Sequence, residues 1–340
     1  MLMHNIKQLI HTIMKIKSLL LCLLLCIGIT TWGQEKKYTN KYGMKLTQNE
    51  DGSFKLNQKK KYEKIIDLTK VADLLTPYEY KPEKISKESY KKTKTTTVTY
   101  KTYPGYSLQI DIDMAKSETP VPVMFYIHGG GWSKGNNKSH AHLSKYLAQQ
   151  HNITGVRIMY TLAPQENANI EVTIQDVLDA VQYIKDHAKE YNIDANRIGF
   201  CGASAGAHLS ACGALMTNAK VLVGYSGVYD LTTAEILKRT KSKERINYFK
   251  GLDPKVLEAA SPVKLINKKT KLAAQLYCGT ADLIVEYSQS LDFAAALKKK
   301  KGCVVDLQVY ENYEHSLQGR TCDKMEEIFF KSVDFITKNL

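Results

Sequence analysis

The chain has 340 residues, of which 44% are hydrophobic and 24% charged, and its formal net charge at pH 7 is +14. This length suits one large α/β domain with a sizeable core better than two small ones. The lysines are scattered along the chain, so the charge indicates a solvated lysine-rich surface and argues against a nucleic-acid partner.

The N-terminal segment has the pattern of a signal peptide. Two lysines precede an apolar run over residues 19–29, and the small residues Thr31 and Gly33 occupy the positions that a signal peptidase requires. The run is shorter than the roughly 20 apolar residues that span a bilayer, which disfavours a membrane anchor. We therefore predict a signal peptide over residues 1–33, a secreted or periplasmic mature protein, and no integral membrane anchor after cleavage.

The composition of the mature chain changes once. Residues 34–93 are rich in Lys, Tyr and Glu with weak periodicity, and we interpret them as an N-terminal extension. From residue 94 onward the hydrophobic pattern sharpens. We predict a single catalytic domain over residues 94–340.

Strand and helix patterns alternate through this predicted domain. Residues 95–103 and 106–113 alternate around Pro104-Gly105 and predict a hairpin. The clearest helical face lies within residues 173–191. Apolar runs typical of buried strands recur at 121–127, 154–160, 197–201, 220–227, 271–278 and 304–310. This alternation predicts an α/β fold with a mostly parallel central sheet and helices on both faces.

One glycine-flanked serine follows a predicted strand. The string GASAG places Ser204 at a sharp turn between the strand 197–201 and a helix predicted for residues 207–216. This order is what a nucleophile elbow requires, because the strained turn leaves no room for large side chains beside the serine. An ordinary strand-to-helix turn is the alternative that this string alone leaves open.

A second glycine string, HGGGW at residues 128–132, also follows an apolar strand. It has neither the Lys-Ser/Thr ending of a P-loop nor a G-x-G-x-x-G pattern opening a helix, which argues against a phosphate cradle. The N–H groups of Gly130 and Gly131, with that of Ala205, would form an oxyanion hole.

HGGGW and GASAG in this order resemble the hormone-sensitive-lipase-like branch of the α/β-hydrolases, which includes bacterial carboxylesterases and carbohydrate acyl esterases. The resemblance covers roughly residues 95–340 and extends to YTLAPQ at 160–165, where Thr161 and Gln165 replace the charged pair of that branch. SPVKLI at 261–266 and GTADLIVEYSQS at 279–290 also fit. The resemblance implies an α/β-hydrolase fold. We predict that the segment between Asp230 and Ser261 is a short cap insertion over the pocket.

A serine nucleophile of this kind works with an acid and a base, which together form a Ser-His-Asp triad. The acid and the base follow from chemical grounds. The hydrolase order along the chain is nucleophile, acid, base. Asp282 follows the strand 271–278 at the edge where active sites of open α/β folds gather, whereas Glu286 comes a turn later and Asp306 lies inside a strand. His315 is the only histidine after Asp282 and is the predicted base. The histidines at 140, 142, 151 and 187 are predicted to be exposed.

These residues predict a serine carboxylesterase that cleaves small acyl esters through an acyl-enzyme intermediate. Family analogy extends the substrate to a glycan-linked acyl ester, acetyl or feruloyl. Three alternatives stay open: a peptidase or amidase with the same triad, a non-catalytic binding protein on the same fold, and a basic protein that binds anionic surfaces. No metal or organic cofactor is implied, since none of the five cysteines of the mature chain belongs to a CxxC pair or a Cys/His cluster.

Overall fold

The computed structural model describes residues 37–39, 45–48, 54–56, 88–311, 313–317 and 323–340. The predicted signal peptide and most of the predicted extension lie outside the described residues. The chain divides into two compact units, residues 1–63 and 64–340. In the first unit the strands β1 (Lys37–Thr39), β2 (Lys45–Gln48) and β3 (Phe54–Leu56) form an antiparallel sheet in that order.

The second unit contains an eight-stranded sheet. Its strands are β4 (Thr95–Tyr103), β5 (Tyr106–Asp113), β6 (Val121–Ile127), β7 (Thr154–Ile158), β8 (Ile193–Ala203), β9 (Val221–Tyr225), β10 (Ala273–Gly279) and β11 (Val304–Tyr310). Its helices are α1 (Glu88–Lys91), α2 (Ala141–His151), α3 (Ile170–Asp186), α4 (Ala205–Thr217), α5 (Ala234–Arg239), α6 (Lys243–Tyr248), α7 (Pro254–Ala259), α8 (Pro262–Leu265), α9 (Ser288–Lys298) and α10 (Asp323–Asn339).

The strand order is β11-β10-β9-β8-β6-β7-β5-β4. In this order the five neighbouring pairs from β11 to β7 are parallel. Strand β5 pairs antiparallel with both β4 and β7. After β6 the chain proceeds to β7 on one side, and after β8 it proceeds to β9 on the other. This reversal places a topological switch point at the carboxyl ends of β6 and β8, where open α/β sheets bind ligands.

The sheet is covered on both faces, as the alternation of side chains along β6 shows. Val123, Phe125 and Ile127 belong to a core cluster that includes side chains of α3 and α4. Met124 and Tyr126 belong to a second cluster with side chains of α2 and α10. Because successive strand residues point to opposite faces, the two clusters lie on opposite sides of the sheet. The predicted fold class is confirmed.

The predicted elements match the observed ones with shifts at their ends. Strand β8 starts at Ile193, four residues before the apolar run, because Ile193 pairs in parallel with Val121 of β6. Helix α3 starts at Ile170, where the Asn169 side chain accepts hydrogen bonds from the backbone of Glu171 and Val172. The predicted hairpin turn is also present, with Gly105 at a φ of 85°.

Three short helices, α5 to α7, make up the insertion between β9 and α8. The Gln289 side chain holds its first residues: the Oε1 atom accepts hydrogen bonds from the backbone N–H groups of Tyr229 and Asp230, both at 2.7 Å. Further along, the Tyr248 hydroxyl donates to Thr173 Oγ1 of α3 at 2.8 Å. An ion pair between Lys250 and Glu171 of α3, at 3.4 Å, adds to these contacts between the insertion and the body of the domain.

Among the described residues, no helix is both long enough and apolar enough to span a bilayer.

The described cysteines are free thiols. Three of them are buried and the fourth is partly buried: Cys201, Cys212, Cys278 and Cys303, in that order. Burial raises the pKa of Cys278 to about 12. Cys322 lies outside the described residues. The part of the chain that the structure describes holds no group of three or more His, Cys, Asp or Glu side chains placed to bind a metal ion.

Candidate active site

Ser204 lies in a strained turn at the carboxyl end of β8. Its backbone has φ 57° and ψ −121°, a region that side-chain-bearing residues rarely adopt. The turn is held from both sides, because the Ser204 amide donates to the carbonyl of Tyr225 at 2.8 Å and its carbonyl accepts from the His208 amide at 3.1 Å. The serine therefore stands at the start of α4 in the geometry of a nucleophile elbow.

The glycines on either side of the serine are required by close backbone contacts. A Cβ at Gly202 would lie 2.3 Å from the carbonyl oxygen of Gly206, and a Cβ at Gly206 would lie 2.1 Å from that of Ile127. No real Cβ atom tolerates such distances. The two glycines thus allow the first turn of α4 to approach the ends of β6 and β8.

The loop after β6 also adopts conformations that favour glycine. Gly130 has a φ of 123° and Gly131 a φ of 61°, and a Cβ at Gly130 would lie 2.0 Å from the carbonyl oxygen of Lys134. The amide N–H groups of Gly130, Gly131 and Ala205 have no hydrogen-bond acceptor among the described residues. Three backbone donors are thus left unused near the serine.

Hydrogen bonds from outside the loop hold it in place. The Tyr160 hydroxyl donates to the carbonyl of His128 at 2.9 Å, and the rings of these two residues stack with centroids 4.3 Å apart. The Ala163 amide donates to the carbonyl of Trp132 at 2.7 Å. His128 is buried, which lowers its pKa below the ordinary value, so the ring is neutral near pH 7.

His208 connects this loop to the end of the cap. Trp132 Nε1–H donates to His208 Nδ1 at 3.4 Å, and His208 Nε2 lies 2.7 Å from the carbonyl oxygen of Ala260. The carbonyl can only accept, so His208 carries its proton on Nε2 and leaves Nδ1 free as the acceptor. Burial lowers the pKa of His208 to about 4. His208 is therefore neutral near pH 7 and joins the glycine loop to the end of the cap by two hydrogen bonds.

The loops after β10 and β11 bring Asp282 and His315 together. The distance between Asp282 Oδ2 and His315 Nδ1 is 2.7 Å. The second carboxylate oxygen, Oδ1, accepts from the backbone N–H groups of Ile284 at 2.8 Å and Val285 at 2.9 Å. The Asp282 side chain is 1% exposed and that of His315 is 9% exposed. The carboxylate is thus fully engaged and oriented toward the imidazole.

The two other candidate acids, Asp306 and Glu286, do not hydrogen-bond to His315. Asp306 lies within β11 and accepts hydrogen bonds from the side chains of Gln275 at 2.8 Å and Gln308 at 2.6 Å. Glu286 makes no hydrogen bond or ion pair through its side chain within the described part of the chain. Of the three candidate carboxylates, the structure brings only Asp282 to His315.

The structure does not join all the predicted triad members. The Ser204 hydroxyl makes no hydrogen bond to any described residue, so the serine–histidine bond is not formed here. Catalytic hydrogen bonds are often long in ligand-free structures and tighten when substrate binds.

Two of the histidines that were predicted to be exposed are partly buried. His142 and His151 are exposed, but His140 and His187 are not. His187 stacks on the Tyr183 ring at 4.1 Å. Its position one residue beyond α3 allows it to fold back on the last turn, and hydrophobic periodicity does not reveal such a contact.

A cavity of about 50 Å³ opens beside Ser204. This volume holds only a few water-sized groups. Its polar lining consists of Ser204, Thr240 and Arg245, next to Gly131. Apolar side chains form the rest of the wall, from the glycine loop, the cap and the Asp282 loop: Trp132, Val228, Ile236, Phe249, Ile284 and Val285. The predicted cap thus covers the serine.

Sequence reasoning missed several residues around this site. No motif marks Arg245, which comes from cap helix α6. Tyr160 opens the YTLAPQ string, but that resemblance did not indicate that Tyr160 anchors the glycine loop. Thr161 and Gln165 are the two positions where the YTLAPQ string differs from the pattern of the lipase-like branch. The Thr161 backbone N–H donates to Asp176 Oδ2 at 2.9 Å, and Gln165 Oε1 accepts from the Leu162 backbone N–H at 2.5 Å. Both residues that differ from the branch pattern therefore take part in hydrogen bonds, Thr161 to helix α3 and Gln165 within its own loop.

A mostly parallel sheet covered on both faces, with a strained serine between a strand and a helix at its carboxyl edge, defines an α/β-hydrolase. The family model of BD-FAE matches residues 109–297, more than half of the chain, and the chain belongs to the BD-FAE family. An acetyl esterase of Salmonella schwarzengrund is 36% identical over 97 residues, which are 28% of this chain and 29% of that relative. The match thus spans less than a third of the relative.

Solved structures from Thermogutta terrifontis share the fold. Esterase 2 phosphorylated by paraoxon superimposes with a TM-score of 0.60 at 20% identity, covering 72% of this chain and 94% of that chain. A butyrate-bound form of the thermophilic esterase gives a TM-score of 0.61 at 21% identity, with the same coverage. A propionate-bound form gives 0.61 at 20% identity, again with the same coverage. These similarities extend over most of the second unit.

Proposed function

We propose that the protein is a serine carboxylesterase with Ser204 as nucleophile, His315 as general base and Asp282 as the acid that orients the base. The observation that carries this proposal is the 2.7 Å contact between Asp282 Oδ2 and His315 Nδ1, at the same sheet edge as the strained serine. Membership of the BD-FAE family and the likeness to an acetyl esterase support the same reaction.

The proposed role of each side chain follows from which of its atoms already make hydrogen bonds. Because the Asp282 carboxylate can only accept, His315 Nδ1 carries the proton and Nε2 is free to remove the Ser204 proton. The serine oxygen then attacks the ester carbon, and the imidazolium returns its proton to the departing alcohol. Water hydrolyses the acyl-enzyme by the same steps in turn.

The unused amides of Gly130, Gly131 and Ala205 are the proposed oxyanion hole. Backbone N–H groups that need not reorganise stabilise the charge that develops on the carbonyl oxygen in the transition state. The left-handed conformation of the two glycines gives their N–H groups directions that a regular strand does not offer. No step of this mechanism uses a metal or an organic cofactor.

The cavity favours small acyl groups. Its volume of about 50 Å³ and its mostly apolar wall suit an acetyl or similarly short chain. We propose small-molecule or glycan-linked acyl esters as substrates, with acetylated glycans favoured over feruloylated ones because of this size. We also propose that the protein is exported, since the pattern of residues 1–33 is that of a signal peptide.

Hydrolysis of nitrophenyl esters of increasing acyl length tests the reaction and the size limit. We expect kcat/KM to be highest for short chains, and we expect Ser204→Ala to reduce kcat by several orders of magnitude while the variant still folds. A fluorophosphonate should label Ser204 alone. Labelling at another residue, or turnover of peptide anilides in preference to esters, would overturn the proposal.

A further inference from the structure

Arg245 reaches from the cap to the glycine loop and lines the cavity that holds the nucleophile. Its Nη2 atom lies 2.6 Å from the position that a Cβ at Gly131 would occupy. Since a Cα–Cβ bond is about 1.5 Å long, the guanidinium is within about 4 Å of the Gly131 Cα. Both Arg245 and Ser204 border the same cavity. The guanidinium is thus beside the site of reaction.

The guanidinium has no partner in the part of the chain that the structure describes. The Arg245 side chain makes no hydrogen bond or ion pair to a described residue, although the side chain is half-buried. Among the described residues that line the cavity, Arg245 alone is charged. A half-buried, unpaired cation among Ile236, Phe249 and Val285 is costly, and a ligand that supplies the missing acceptor removes that cost.

The planar fork of N–H donors defines what this acceptor should be. A guanidinium binds carboxylates through two parallel hydrogen bonds, and a low-dielectric wall strengthens that pair. We infer that Arg245 makes the esterase selective for esters that carry a carboxylate a few bonds from the scissile carbonyl. This inference rests on the proposed esterase function and names the substrate class of the same site.

The test compares two nitrophenyl esters of similar length that differ in charge. Nitrophenyl hemiglutarate carries a terminal carboxylate on its acyl chain, and nitrophenyl pentanoate is its neutral counterpart. We expect Arg245→Gln to lower kcat/KM for the charged ester about 10- to 100-fold more than for the neutral one. Arg245→Lys, which retains the charge without the fork, should give an intermediate loss.

Lys243→Gln is the matched control. It removes one positive charge from the same helix, α6, but Lys243 is exposed and does not line the cavity. The ratio of the two kcat/KM values should therefore stay at the wild-type level in this variant. An equal change of the ratio in both variants would show a general electrostatic effect and would overturn the assignment to Arg245.

A second pair of esters locates the carboxylate. Nitrophenyl hemiglutarate places it on the acyl side, whereas 4-acetoxybenzoate places it on the alcohol side, with phenyl acetate as the neutral control. Selectivity lost on Arg245→Gln in either pair supports the inference and identifies the side. Equal losses for charged and neutral esters in both pairs would overturn it and indicate that the guanidinium acts on the oxyanion itself.

Failure of this inference and failure of the esterase proposal are distinguishable. If the wild-type protein hydrolyses none of the four esters, the proposed reaction is wrong. If it hydrolyses the neutral esters and Arg245→Gln leaves the charged-to-neutral ratio unchanged in both pairs, the reaction stands and the inference about Arg245 is wrong. Thermal unfolding of each variant shows that the comparison is made between folded proteins.

Discussion

Replacing Asp282 with asparagine should disable the proposed base while leaving the fold nearly intact. The Asp282 Oδ1 atom accepts from two backbone N–H groups, at 2.8 and 2.9 Å, and Oδ2 lies 2.7 Å from His315 Nδ1. An asparagine has one acceptor oxygen. That oxygen must stay at the Oδ1 position, because an NH₂ group there would face two N–H donors, so the NH₂ group points at His315.

This orientation reverses the tautomer of the imidazole. His315 Nδ1 must then accept a hydrogen bond from the amide N–H, and the ring carries its own proton on Nε2, where it blocks removal of the Ser204 proton. The corresponding change in a serine protease triad lowers kcat by about 10⁴, or about 5 kcal/mol of transition-state stabilisation, and we expect a loss of that order here. Since both backbone hydrogen bonds to Oδ1 remain, the unfolding free energy should change by only about 1 kcal/mol.

The assay is steady-state hydrolysis of nitrophenyl acetate, with urea unfolding on the same samples. Glu286→Gln and Asp306→Asn are matched controls, because each removes one of the rival carboxylates by the same chemical change. Both should keep a kcat within a few-fold of the wild type. If Asp282→Asn retained more than about a tenth of the wild-type kcat, or if Glu286→Gln suffered the large loss, the reasoning from the 2.7 Å contact would be refuted.

Four further substitutions test other parts of the site. Gly130→Ala should lower kcat by at least about 10² and slow the reaction of Ser204 with an organophosphonate, because a Cβ would lie 2.0 Å from the Lys134 carbonyl oxygen. Gly131→Ala should lower kcat less, since the added Cβ would contact only the movable tip of the Arg245 side chain. His208 has a pKa of about 4 against an ordinary 6.5, so it contributes stability above pH 6.5 that is lost as pH falls toward 4. We expect this residue to account for a loss of about 2 kcal/mol between pH 7 and pH 5, which urea titrations of His208→Gln should lack. Tyr248→Phe removes the 2.8 Å hydrogen bond to Thr173 and should lower the unfolding free energy by about 1 kcal/mol.

Each of these expectations has a contrary outcome. Equal kcat values for the two glycine variants would show that the contact of a Cβ at position 130 with the Lys134 carbonyl does not distort the loop. An identical drop in stability from pH 7 to pH 5 with and without His208 would assign that drop to other groups. A Tyr248→Phe variant as stable as the wild type would show that the cap is held without this hydrogen bond.

Local patterns were sufficient to predict the sheet and the strand–turn–helix unit that carries Ser204. Strands β4, β5, β6 and β11 match their predicted ranges, because period-two alternation and short apolar runs are determined by which faces are buried. The turn at Ser204 was also evident from sequence. Glycines at 202 and 206 are required by backbone contacts within one strand–turn–helix unit, and such a unit leaves its mark on a few adjacent residues.

The tertiary structure alone decided which distant groups meet. Asp282, Glu286 and Asp306 all lie before His315 in the chain, and only the packing of the loops after β10 and β11 brings Asp282 to 2.7 Å. Arg245 likewise meets Gly131 because a cap helix folds over the glycine loop. Such contacts join segments that are far apart in the sequence. Hydrophobic periodicity indicates which residues are buried, but it does not indicate which residues they contact. The sequence by itself therefore determined the fold class and the strained turn at Ser204, and the tertiary structure decided which carboxylate meets His315 and which residues line the pocket.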